Sequence, residues 1–232
     1  MNVGSKVIRT KNFVADAAAL ILDQARKALA ERDEFRIALS GGNTPAPVYA
    51  RVATEAHDFP WDHVRFTFGD ERCAPPDDSQ SNFRMARENL FVPARVPEKS
   101  IMRMRGESDP QIAAQEYERQ LHAIATQRGE PIYQHDLILL GLGDDGHTAS
   151  LFPGTAALEE MRRHVVANFV PKLDAWRLTF TFPLINHARH ILFLVGASKS
   201  PQLIERVLAG DQQFPAARVN PVAGQVTWMI GE

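Results

Sequence analysis

The run Asp136-Leu137-Ile138-Leu139-Leu140-Gly141-Leu142 constrains this chain more than any other stretch. It is too short for a stable helix, it does not alternate, and it stops dead at Gly143-Asp144-Asp145-Gly146. An unbroken apolar run of that length fits a strand buried on both faces. Similar runs recur. Phe35 to Leu39 is broken by Ser40-Gly41-Gly42, Val64 to Phe68 ends at Gly69-Asp70, and Ile191 to Val195 runs into Gly196. Arg177 to Phe182 and Val226 to Ile230 complete the set. Helical segments fall between them. Over residues 13–31, Phe13, Ala17, Leu20, Ile21, Ala28 and Leu29 carry a helical period. Pro45 opens a second helix, where its missing N–H costs nothing. Residues 82–90, 109–128 and 201–208 supply three more, the longest started by Asp109-Pro110. Buried strands alternating with helices predict an α/β fold with a mostly parallel sheet covered on both faces. Ligands of such sheets bind beyond the carboxyl ends of the strands, which is where the polar clusters of this chain lie.

With 232 residues, 44% of them hydrophobic and 23% charged, one α/β domain over 1–232 is expected, with neither repeat nor low-complexity linker. Lys plus Arg number 26 against 28 Asp plus Glu, a net charge of −2, so the basic surplus of a nucleic-acid binder is missing. One cysteine cannot make an internal disulfide. No apolar h-region opens the chain, and no apolar run approaches the roughly 18 residues of a membrane span. A cytoplasmic protein without membrane partners is the expectation.

Four clusters carry chemistry. Ser40-Gly41-Gly42-Asn43-Thr44-Pro45 joins a strand to a helix, so close backbone approach and free N–H groups suit an anion. It matches neither a dinucleotide fingerprint nor a P-loop, so a single phosphate monoester fits better than a dinucleotide or nucleoside triphosphate, with an ordinary strand-to-helix turn as the equal alternative. Gly69-Asp70-Glu71-Arg72 with Ser81-Asn82-Phe83 places three charges directly after an apolar strand, either as a solvated loop or facing a cleft. In Gly141 to Pro153, a glycine-rich turn presents His147, a general-base candidate whose imidazole either Asp144 or Asp145 would orient. No G-x-S-x-G nucleophile is present, and metal-ligand spacing is lacking, so no metal is expected. Arg177 and Lys199, each at a strand end, complete a phosphate pocket if they meet Gly41 and Gly42. Cys73, His187 and His190 read as structural or surface residues, and Trp61, Trp176 and Trp228 as packing groups.

In this order the clusters resemble the 6-phosphogluconolactonase family. The resemblance runs over Leu39–Pro45, Phe68–Arg72 with Ser79–Leu90, Asp136–Pro153 and Arg177–Phe193, and extends to Lys199 and Pro215–Val219. It implies a Rossmann-like three-layer sandwich and the hydrolysis of 6-phospho-D-glucono-1,5-lactone, a phosphorylated sugar lactone, without a cofactor. By motif, His147 becomes the base that activates water. Asp70, Arg72 and Asn82 become cleft residues, with Arg72 or backbone N–H groups stabilising the oxyanion. Ser40, Gly41, Gly42, Thr44, Arg177 and Lys199 fall on the phosphate-binding side. Functional coupling to glucose-6-phosphate dehydrogenase, the source of the lactone, is also implied. The competing branch, glucosamine-6-phosphate deaminases, resembles G-x-D-G-H-I-x-F-N-E-P after the same strand. Here Leu151 and Phe152 stand where its Asn and ring-opening Glu would be, and Asp70-Glu71-Arg72 replaces its Asp-Glu-Tyr. A phosphosugar-binding module without turnover is the non-enzymatic alternative.

Overall fold

A computed structural model describes residues 5–232. In chain order the elements are β1 (Ser5–Thr10), α1 (Phe13–Arg32), β2 (Phe35–Leu39), α2 (Pro45–Glu55), β3 (Val64–Phe68), β4 (Asp70–Arg72) and α3 (Asn82–Ala86). They continue with α4 (Pro110–Gln127), β5 (Leu137–Gly141), β6 (Val165–Val170), β7 (Ala175–Phe180), α5 (Phe182–Ile185), β8 (His190–Val195), α6 (Pro201–Leu208) and β9 (Gln225–Gly231). Six strands form one sheet in the order β1-β9-β8-β5-β2-β3, all neighbours parallel. The α/β class expected from the sequence is the one observed.

Strand alternation explains the two cores. Leu137 and Leu139 of β5 face one side, with Ile37 and Leu39 of β2 and the apolar stripes of α1 and α2. Ile138 and Leu140 face the other, with Ala38, Phe193 and the buried side of α4. Because both faces are covered, β5 reads as a continuous apolar run. Trp228 stacks on its register neighbour Phe193 at 3.7 Å between ring centroids. The start of α4 is fixed by Asp109, whose Oδ1 accepts the N–H groups of Gln111 and Ile112 at 3.0 Å.

Four strands depart from the expectation, β1 and β6 because the sequence pattern predicts no strand over their residues. The segment read as a parallel strand over Arg177–Phe182 is β7, Ala175–Phe180, and it belongs to a second, antiparallel sheet of order β4-β7-β6. Leu178 and Phe180 pack onto the second core, so this small sheet covers part of one face in place of a helix. Its outer side leaves Trp176 39% exposed against Phe169, so this tryptophan is only half packed. Asp70-Glu71-Arg72, read as a loop, is β4. The helix expected over 82–90 is α3 followed by a π-turn at Arg87–Phe91. His190 is a further correction: it is buried in β8, with Nε2 2.9 Å from Thr227 Oγ1.

Candidate active site

The chain leaves β2 outward to β3 and later returns to lay β5 against the other edge of β2. That reversal opens a crevice at the carboxyl ends of β2 and β5. A cleft of about 520 Å³ occupies it, lined by the turn 40–45 after β2, Asp70 and Arg72 of β4, the turn 141–150 after β5, and Ser198 and Lys199 after β8. Arg177 of β7 and Lys172 and Leu173 of the β6–β7 connection close it from the second sheet.

Within the third cluster the structure separates two adjacent aspartates. Asp145 Oδ1 lies 2.6 Å from His147 Nδ1 and accepts the backbone N–H of His147 at 3.2 Å. Asp145 Oδ2 accepts from Lys172 Nζ. Asp144 turns to solvent, 93% exposed, and meets Lys199 Nζ at 2.6 Å. Burial works to raise the Asp145 carboxyl, but the hydrogen bonds from Lys172 and His147 outweigh it and hold Asp145 down at about 2. Lys199 likewise lowers Asp144. With Nδ1 committed to Asp145, Nε2 is the ring atom without a hydrogen-bond partner among the described residues.

The imidazole is closely packed. Phe152 stacks on it at 4.0 Å and 25°. Gly143 also lies against it, where a Cβ would fall 2.0 Å from Nδ1 and 2.1 Å from Cε1. Gly143→Ala is therefore expected to push the ring from its place and lower kcat by about 10²-fold, with an unchanged far-UV circular dichroism spectrum as the control.

The second cluster divides its labour. Glu71 points inward, where its two oxygens accept the N–H groups of Arg72, Asn82 and Phe83 at 2.7–2.8 Å and the Ser81 hydroxyl at 3.2 Å. Burial raises this carboxyl. Glu71 thus ties β4 to the start of α3. Asp70 faces the cleft, held by the Ser150 hydroxyl at 2.7 Å and the Asn82 amide at 3.2 Å. Asn82 itself, expected as a cleft residue, lies 2% exposed beneath the cleft floor and does not line it. Gly41 passes directly over it, and a Cβ there would fall 1.8 Å from Asn82 Oδ1. Asn82 supports Asp70 and the glycine turn from below.

Two groups of cations flank the turn 40–45. Arg72 and Arg177 are register partners on β4 and β7. Burial first, then the charge of Arg72, lowers Arg177, and no carboxylate forms an ion pair with it among the described residues. On the other flank Lys199 follows β8, near Thr44, whose hydroxyl approaches Gly196. Ser40 Oγ is buried without a hydrogen-bond partner among the described residues. Such an arrangement attracts an anion. No group of three or more His, Cys, Asp or Glu among the described residues converges as metal ligands do. Cys73, just beyond Arg72, is pushed up to about 11 by burial, consistent with a structural thiol. Lys172 and Ser150 were not singled out in the sequence. Lys172 arrives from a hairpin with no motif of its own.

The profile of glucosamine-6-phosphate isomerases/6-phosphogluconolactonase matches residues 9–228. The chain belongs to this family. A 6-phosphogluconolactonase of Synechocystis is 41% identical over 230 residues, spanning 97% of this chain and 94% of the relative. A 6-phosphogluconolactonase structure from Thermotoga maritima superposes with a TM-score of 0.86 at 28% identity, covering 98% of this chain and 100% of the other. The human GDH/6PGL endoplasmic bifunctional protein is 32% identical over 230 residues, 95% of this chain but only 28% of that longer protein. Within the family, the position where the deaminase motif carries its ring-opening glutamate is filled here by Phe152, the ring stacked on His147.

Proposed function

We propose that this member of the family hydrolyses 6-phospho-D-glucono-1,5-lactone to 6-phospho-D-gluconate, the lactonase step of the oxidative pentose phosphate pathway. One observation carries the reading: an Asp145–His147 pair opens onto an anion-attracting cleft, with Phe152 in place of a second carboxylate. A base with an aromatic ring, not a carboxylate, at the position of the deaminase motif's ring-opening glutamate suits water activation at an ester.

The substrate's phosphate sits against the turn Ser40–Thr44, between Lys199 and Arg177. We place Arg72, the cross-strand neighbour of Arg177, at the same end of the substrate, which leaves backbone N–H groups as the oxyanion donors. A phosphate dianion displaces the exposed Asp144 from Lys199. The ring extends so that C1 lies near His147. Neutral His147 takes a proton at Nε2 as water attacks C1, while Asp145 holds the Nδ1–H and stabilises the imidazolium. The tetrahedral intermediate collapses, the C1–O5 bond breaks, and His147 returns its proton to the departing ring oxygen. Atoms balance as one lactone plus one water giving one hydroxy acid. An activated ester asks for modest acceleration, within reach of a general base and orientation.

Fresh lactone, generated by enzymatic oxidation of glucose 6-phosphate, is expected to disappear faster than its spontaneous hydrolysis when the protein is added. Ammonia release from glucosamine 6-phosphate, with no gain in lactone loss, would instead assign the chain to the isomerase branch. Binding without turnover of either would leave the phosphosugar-binding module. Arg177→Ala is expected to raise KM by about 10- to 100-fold, the worth of a hydrogen bond to a charged group, with a smaller change in kcat. We further place the protein in the cytoplasm, using lactone from glucose-6-phosphate dehydrogenase. The human relative, which joins a GDH and a 6PGL part in one chain, supports that coupling.

A further inference from the structure

Lys172 lies outside every motif, yet it touches the centre of the site. It sits on the single turn Pro171–Leu173 joining β6 to β7, half exposed, and reaches across from the second sheet. Its ammonium meets Asp145 Oδ2 and stands 4.7 Å above the Phe152 ring. Asp145 Oδ1 meets His147, and Phe152 stacks on His147. Four side chains from two sheets thus close a ring of contacts, with one carboxylate spanning an imidazole and an ammonium. We infer that Lys172 is a positioning residue for His147, fixing the Asp145 carboxylate against Nδ1 and offsetting its charge.

Physical reasoning gives the direction. An uncompensated carboxylate at hydrogen-bond distance favours imidazolium over imidazole. A lysine on the second oxygen removes part of that preference and removes a rotational freedom of the carboxylate. The other charges on the surrounding elements are already placed. Asp144 of the same turn pairs with Lys199 after β8, Asp70 of β4 is held by Ser150 and Asn82, and Arg72 and Arg177 form the pair on β4 and β7. Phe214, packed against Gly146 behind the turn, brings Arg206, whose charge is taken by Asp211. Lys172 is the cation that contacts Asp145.

This inference rests on the lactonase reading, so its test has one arm with turnover and one without. Lys172→Met keeps the side-chain length and removes the charge, and Lys172→Arg restores the charge. In the first arm, kcat is followed against pH with fresh lactone. The acid limb is expected to move to higher pH by about half a pH unit or more in Lys172→Met, with the alkaline plateau much less affected, and to return in Lys172→Arg. In the second arm, the His147 Cε1–H resonance of the ligand-free protein is titrated by NMR. Its midpoint is expected to be higher in Lys172→Met than in the unmodified protein, whether or not lactone is a substrate. Coincident titration curves would overturn the inference. So would a rise in KM alone, which would make Lys172 a substrate-binding group, or an equal loss of kcat at every pH. A shifted titration in a protein that does not hydrolyse lactone would retain the positioning role and sink the lactonase reading.

Discussion

Replacing His147 by alanine is expected to lower kcat by about 10²- to 10⁴-fold, the usual contribution of a general base. KM should change far less, because the groups assigned to the phosphate lie on the turn 40–45, β4, β7 and the loop after β8. No neighbour is fit to substitute. Asp145 stands next in line, but Lys172 still hydrogen-bonds its carboxylate in the variant, and so weak a base takes little of a proton from attacking water. The fold should survive, since the imidazole leans on Phe152 and Asp145 at the rim of the cleft. The same reasoning fixes the pH dependence. Asp145 is held down at about 2, so its own protonation does not account for a fall in rate between pH 8 and 5. A profile flat from pH 5 to 8, or an alanine variant with undiminished kcat, would contradict the base assignment.

The second large effect is on stability. His135 is fully buried at the amino end of β5, with Nε2 2.9 Å from Thr67 Oγ1 and no hydrogen-bond partner for Nδ1 among the described residues. Burial first, then the nearby charge of Arg36, lowers it to about 3. His190 is lowered to about 4, again mainly by burial. Both are neutral in the native protein, and both take up a proton near pH 6.5 once the chain unfolds. Between pH 6.5 and their native values the unfolded state binds more protons, so stability rises with pH and is lost as pH falls. Each proton is worth up to roughly 1.4 kcal/mol per pH unit, which makes His135 alone cost on the order of 3 kcal/mol by pH 4. Against a typical net stability of about 5–15 kcal/mol that is a large share. Glu71 and Asp136, whose carboxyls burial raises, act in the opposite sense at the acid end. A variant isolates the histidine: in His135→Gln, unfolding free energy from urea titrations at pH 6.5, 5.5 and 4.5 should fall less steeply, by about one proton's slope. Parallel curves for the two proteins would show that His135 does not titrate on unfolding.

Five of the six strands of the large sheet were legible because they are buried on both faces, whereas the edge strand β1, largely exposed, was not. A segment such as Leu137–Leu140, with successive residues entering two different cores, has to be apolar throughout. The second sheet was not. β4 is three charged residues, and what makes it a strand is the pairing of Asp70 with Thr179 and Arg72 with Arg177, more than a hundred positions away. Glu71 is buried there only because four donors converge on it, a fact that no local pattern carries. The site was partly legible for a related reason. Strand ends gather residues that are far apart in sequence, so His147, Asp70, Arg72, Arg177, Lys199 and the glycine turn line one cleft. Which of Asp144 and Asp145 meets the imidazole depends on the path of a turn, and both residues lie in that turn. The family resemblance makes Asn82 a cleft residue, but the close passage of Gly41 puts it under the floor. His190, flanking a strand start, reads as a surface residue, but strand alternation turns it inward toward Thr227.

A crystal structure of the complex with 6-phosphogluconate tests the central arrangement most directly. The phosphate is expected among the backbone of Gly41 to Thr44, Arg177 and Lys199, with the C1 carboxylate within one hydrogen bond or one water of His147 Nε2. A product lying the other way round, or seated in the cleft with C1 out of reach of that nitrogen, would remove the water-activating role from His147 and with it the mechanism.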